Sequence, residues 1–293
     1  MDNYIKYKWK GFAMVLEEVA GKVYADTSGE NGGNFGAIVL DDQIVMVDSG
    51  MIHTKSHQTR EQLEDEHNLR TERILLTHYH ADHLFGAQAF EPVRVISSVA
   101  TRDICVRNLE GSWERDTLLE SYSPVQEDRP ELWDALQDLR ILVPEEVFDR
   151  KLTLGDKGEI VAFHMGGHTA GSSIVVVEPE HVVFVGDLIF NKSFPYAGDP
   201  TCHPDEWIIA LEDIIKSDFR EVIPGHGPMC EKSDVANELD FLKSLRKSVK
   251  DALVRGVSAD KYLELEMYPE HHLEGRENRL PSAVDHWFAF YGK

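Results

Sequence analysis

The sequence predicts a folded chain of mixed α and β structure, with its sheets covered by helices. Three observations carry this. β-Rich runs alternate with helix-patterned runs along most of the 293 residues. The runs at 35–40 (FGAIVL) and 44–48 (IVMVD) are separated only by Asp41-Asp42-Gln43, which is hairpin spacing, whereas later runs are far enough apart for crossovers. The composition is 42% apolar and 9% aromatic, too rich in core-forming side chains for an acidic disordered chain.

Each element has its own signal. A polar, helix-prone stretch follows the hairpin to about residue 68. Residues 73–77 (RILLT) read as a buried strand, and 93–97, 159–164, 172–177 and 182–185 as further strands. Helices are expected over 205–216 and 234–255. In the second, Val235, Leu239, Leu242, Leu245, Val249 and Leu253 recur at three- or four-residue steps. The acidic stretch 103–146, with Trp113, Pro130 and Trp133, reads as a helical insertion rather than an independent domain. There is no internal repeat.

Charge narrows the function. With 52 acidic and 30 basic side chains the formal net charge is −22, and no Lys/Arg run exceeds two, so nucleic acid is not an expected partner. No segment approaches the roughly 18 apolar residues of a membrane span. The apolar run near the start, 12–16, is shorter than the roughly 7–15 residues of a signal-peptide core, so the start reads as mature protein. Cys105, Cys202 and Cys230 are odd in number and far apart, which suits reduced thiols and a cytoplasmic protein.

The chemistry is concentrated at strand ends. Directly after RILLT comes Thr77-His78-Tyr79-His80-Ala81-Asp82-His83, four potential metal ligands within six residues. Imidazole and carboxylate suit zinc or other first-row divalent metals. In extended chain His78 and His80 share a face, while Asp82 and His83 fall where the chain bends into a helix and can point at a second ion. Later come His168 in the glycine-rich Gly166-Gly167-His168-Thr169-Ala170-Gly171, then Asp187 closing the strand VVFV, then His226 in a tight Pro224-Gly225-His226-Gly227-Pro228 turn.

This pattern, H-x-H-x-D-H followed by single His, Asp and His residues in that order, resembles the metallo-β-lactamase superfamily. Val47-Asp48-Ser49-Gly50 matches the family's first motif, and the motifs span residues 48–226. The resemblance implies an α+β fold, a four-layer αββα sandwich with metals in a cleft at one edge of the two sheets. It implies a domain over 1–233, interrupted by the helical insertion, and a helical C-terminal extension over 234–293 packed on it. It implies two divalent metal ions, zinc foremost, with iron or manganese as alternatives. His78, His80 and His168 would hold one ion, Asp82, His83 and His226 the other, with Asp187 bridging and Asp48 orienting a ligand from behind.

The implied activity is a dinuclear hydrolase. A metal-bridging hydroxide attacks the carbonyl of a small-molecule ester, thioester, lactone or β-lactam, and Asp82 orients the nucleophile. Asp187 at the bridging position separates the chain from β-lactamases with a Cys there and resembles glyoxalase II and lactonases. The 186–199 segment resembles the quinoprotein-relay-associated branch. A mononuclear iron enzyme like the persulfide dioxygenases is the alternative, and a non-catalytic binding member the weaker one. Tyr79, Phe85, Phe190 and Tyr196 are candidates for an apolar substrate pocket. The cleft is expected to be negative apart from its metals, and the insertion to serve as a lid or a contact in a homo-oligomer. The remaining histidines (53, 57, 67, 164, 181, 203, 271, 272 and 286) are read as structural or surface, His203 least securely.

Overall fold

The computed structural model describes residues 8–9, 12–13, 16–270 and 275–293. Residues 14 and 15 of the run at 12–16, and His271 and His272, lie outside those residues. Strands β1 (Lys8–Trp9) and β2 (Phe12–Ala13) pair as a short ribbon. A seven-stranded sheet then runs in the order β3 (Glu17–Ala20), β4 (Val23–Asp26), β5 (Phe35–Val39), β6 (Ile44–Val47), β7 (Thr71–Leu75), β8 (Arg94–Ser98) and β9 (Glu146–Phe148). It is antiparallel from β3 to β6 and parallel from β6 to β9. The second sheet has five strands: β10 (Lys151–Leu154), β11 (Ile160–His164), β12 (Ser173–Val177), β13 (Val182–Phe190) and β14 (Glu221–His226). Its last pair, β13 with β14, is parallel.

Alternation of side chains along the strands builds the layers. In β6, Val45 and Val47 point between the sheets and meet Val175, Val177 and Phe184. Their neighbours Ile44 and Met46 point the other way, onto Leu63 of α1 (His53–His67). On the far face of the second sheet, Val161, Val183 and Val185 pack against three helices. These are α7 (Pro204–Lys216), α8 (Lys232–Val254) and α10 (Arg276–Tyr291), which supply Trp207, Leu242 and Trp287. The short α9 (Ala259–Glu264) joins the last two and adds Tyr262 to the same core. The result is helix, sheet, sheet, helix.

Local chemistry sets several ends. Glu231 and Asp234 form a capping box at the start of α8. His203 accepts a hydrogen bond at Nδ1 from the Glu206 amide, 3.2 Å, at the start of α7, with Pro204 in the first helical position. His203 is therefore a helix cap.

Three expectations are corrected. The strand expected at 182–185 continues to Phe190, so Asp187 sits within β13, at a shift in its register with β14. The turn expected at 224–228 begins as strand, because β14 runs through Pro224 to His226. β14 is an edge strand, where a residue without an N–H removes no ladder bond. The 103–146 segment begins earlier, inside α3 (Val99–Leu109), and continues through α4 (Arg115–Tyr122), α5 (Val125–Asp128) and α6 (Pro130–Gln137). Its last residue opens β9, an edge strand of the first sheet.

Candidate metal centre

The ligand-type side chains converge where the two sheets meet. His78 and His80 lie on the loop after β7, with ring centroids 4.7 Å apart. Asp82 and His83 lie in the single turn of α2 (Ala81–Leu84). His168 comes from the loop between β11 and β12, Asp187 from β13 and His226 from the end of β14. They form two groups, His78, His80, His168 and Asp187 in one, Asp82, His83 and His226 in the other, with the donor atoms of each group within 4.8 Å of one another.

Asp187 touches both groups. Its Oδ2 lies 3.7 Å from His78 Nε2, 3.5 Å from His168 Nε2 and 3.3 Å from His226 Nε2, and its Oδ1 lies 3.0 Å from His83 Nε2. This crowding needs a glycine opposite. A Cβ on Gly225 would stand 2.0 Å from Asp187 Oδ1, so β14 can approach β13 here only without a side chain.

The outer partners fix which ring nitrogens face inward. Asp48, in the left-handed region at φ 58°, accepts from Thr77 N and Thr77 Oγ1, both at 2.7 Å, and from His83 Nδ1 at 2.8 Å. The Thr77 hydroxyl gives its proton to Asp48, so at 3.0 Å it accepts from His78 Nδ1. His168 Nδ1 donates to the Tyr196 carbonyl at 3.0 Å, and His80 Nε2 donates to Asp199 at 2.9 Å. The inward atoms are therefore the acceptors His78 Nε2, His80 Nδ1, His83 Nε2 and His168 Nε2.

Acceptors facing acceptors call for a cation. His80 Nδ1 and His168 Nε2 lie only 3.1 Å apart. His78 Nε2, His83 Nε2 and Asp187 Oδ1 are buried with no hydrogen-bond partner. The titration pattern agrees. Burial opposes ionisation of Asp187, but His226, His83 and His78 hold its carboxyl well below the usual range. Burial lowers the pKa of His83, but Asp187, Asp82 and Asp48 outweigh it and raise the pKa well above the ordinary value; His226 is likewise raised, to about 9. Burial lowers His168 to about 4. The charges thus favour protons on His83 and His226 and neutral imidazole at His168. Divalent cations of the imidazole- and carboxylate-binding kind would replace those protons and fit this donor set.

A family model named "Metallo-beta-lactamase superfamily" matches residues 28–226. The chain belongs to that superfamily. Its relatives include "Metallo-beta-lactamase type 2" of Bacillus cereus, 22% identical over 206 residues, covering 68% of this chain and 69% of the relative. They also include "Acyl-coenzyme A thioesterase MBLAC2" of Homo sapiens, 30% identical over 179 residues, covering 58% and 60%. Among solved structures, "Metallo-beta-lactamase from Pontibacter korlensis" superposes with a TM-score of 0.60 at 19% identity, covering 78% of this chain and 98% of that one.

The four aromatic pocket candidates occupy different surroundings. Phe85 is 1% exposed and packs edge-on against Trp113, while Tyr79 is buried with its hydroxyl bonded to Asp199. Phe190 is buried and stacks on His226, centroids 5.0 Å apart and planes 7° apart. Tyr196 is half-buried, 5.9 Å from the His80 ring. None of the four lines the cavity of about 650 Å³ over Asp82 and His226. Tyr79, Phe190 and Tyr196 lie against ligand-type imidazoles, while Phe85 packs in the core beneath.

Two residues that matter near the centre escape sequence reasoning. Asp199 holds His80 and Tyr79 from a loop about 120 residues away, so no local spacing points to it. Glu238, buried on α8, accepts from the Phe190 amide at 2.9 Å and so holds the ring that stacks on His226. Burial, only partly offset by that amide and reinforced by Asp187, pushes the Glu238 carboxyl up to about 8. A carboxyl raised in the folded state favours the fold most at acid pH. That advantage drains away as pH climbs from the ordinary carboxylate value through the folded one. Relative to wild type, Glu238→Gln should match its stability at acid pH. The variant should then gain about 1.4 kcal/mol for each pH unit crossed, levelling off above about 8. Thermal unfolding of both proteins across that range reads the difference.

Proposed function

We propose that this metal-dependent hydrolase works with two divalent ions, zinc foremost, and hydrolyses a small thioester, with water adding to its carbonyl carbon and the acyl C–S bond breaking to release the thiol. The observation that carries the reading is the single carboxylate, Asp187, in reach of both donor groups. His78, His80 and His168 would hold one ion, Asp82, His83 and His226 the other, with Asp187 between them. When bound, such a pair supplies Lewis acidity toward the carbonyl oxygen and lowers the pKa of a water.

The chain's own residues do the rest. Asp48, Thr77 and Asp199 keep the histidine lone pairs aimed inward. Asp82 lines the open cavity and stays ionised, since burial is outweighed by His83 and His226. It is placed to orient a water. The thioester is preferred among the carbonyl candidates because two relatives, from Gallus gallus and Homo sapiens, bear the name acyl-coenzyme A thioesterase.

The test is a panel of aryl ester, thioester, lactone and cephalosporin, offered to the zinc-loaded chain and to the chain after chelation. The thioester should be turned over fastest, and chelation should abolish its turnover. No turnover of any member by the loaded protein would reject the proposal.

A further inference from the structure

The cavity over Asp82 and His226 is also walled by Arg129 and Arg279, which come from the two helical additions to the sandwich. Arg129 sits at the N-terminus of α6, in the 103–146 segment, and Arg279 lies in the first turns of α10. In a chain of formal charge −22, two guanidinium groups at the mouth of the reaction site oppose the average composition. They also set two positive charges beside Glu30 and Asp82 in a cleft expected to be negative apart from its metals.

Arg279 is held in place. Its guanidinium carbon lies 5.3 Å from the Phe190 ring centroid, and Phe190 stacks on His226. One of its nitrogens donates to the Phe194 carbonyl. Among the described residues, neither arginine has a carboxylate within ion-pair distance. Glu30 shares the cavity wall, and Asp82 is assigned to the metals. Tyr122 shares the wall and feels both charges: after burial, Asp82 raises its hydroxyl pKa and Arg129 lowers it. Arginines without a carboxylate partner, beside a reaction centre, form an oxyanion receptor, since the planar fork matches carboxylate or phosphate geometry.

We propose that Arg129 and Arg279 together bind an anionic group, carboxylate or phosphate, on the substrate whose carbonyl reaches Asp82 and His226. The placement of that carbonyl rests on the hydrolase reading above. The anion receptor itself is testable without turnover.

The probes are three non-hydrolysable thioethers: of pantetheine, which is neutral, of 4′-phosphopantetheine and of 3-mercaptopropionate. Affinity for the zinc-loaded chain is measured by titration calorimetry. At least one anionic probe should bind about tenfold or more tightly than the neutral one. The phosphate or the carboxylate probe then identifies the source of the anion. Arg129→Gln and Arg279→Gln should each remove about tenfold of that preference, and Arg279→Lys should retain part of it. Arg129 is exposed, so its variant gives a reading even where Arg279→Gln folds poorly. Equal binding of all three probes overturns the proposal, as does an anionic preference that survives undiminished in Arg129→Gln. Failure of the ester panel with an intact anionic preference would reject only the hydrolase reading.

Discussion

Asp187→Ala should leave the chain folded but reduce thioester turnover by more than the roughly 10–100-fold typical of losing an outer partner of a ligand. The reason is geometric. Four histidine nitrogens, from both donor groups, lie between 3.0 and 3.7 Å from this one carboxylate. Removing it takes a donor from each group at once and leaves four imidazoles facing each other without a buried anion. Metal content and turnover should therefore fall together, and Asp187→Asn, which keeps the volume but not the charge, should behave alike. Elemental analysis alongside a thioester assay checks both. Full metal content with unchanged turnover in either variant would remove Asp187 from the centre.

The largest effect on stability is expected at Trp207. It is fully buried on α7, its indole Nε1 donates to the Leu188 carbonyl at 2.9 Å, and its ring meets His168 edge-on at 5.3 Å. Trp207→Ala should cost about 3–5 kcal/mol by opening a cavity between α7 and the second sheet. It would also leave the Leu188 carbonyl without its partner. Trp207→Phe should cost less, since it keeps most of the packing and loses only the indole bond. Denaturant unfolding of the two variants measures this. Because Trp207 backs His168, Trp207→Ala should also weaken metal retention, whereas a purely structural role would change unfolding alone.

These expectations show which parts of the molecule are written locally. The ligand cluster at 78–83 is legible because extended chain followed by a helical turn places four donors by spacing alone. The layered fold is legible because strands buried on both faces read as short apolar runs, as at 174–177 in β12 and 182–185 in β13. What escapes depends on distant pairings. Nothing local says that Pro224 lies in an edge strand, so β14 reads as ending before it. Asp199 and Glu238 act through partners 119 and 48 residues away. Tyr79 and Phe85 stand beside the metal ligands in the chain, and nothing local says that they pack into the core beneath the metal loop. The net charge suggests an anionic cleft, and only the placement of α6 and α10 brings Arg129 and Arg279 to its mouth.

On the proposed reading, seven side chains, with Asp187 shared, hold a pair of divalent ions. Native mass spectrometry of the zinc-loaded chain counts them directly. Two zinc ions per chain are expected, with occupancy falling in Asp187→Ala. A single ion per chain at saturation, or two that persist in Asp187→Ala, would contradict that reading.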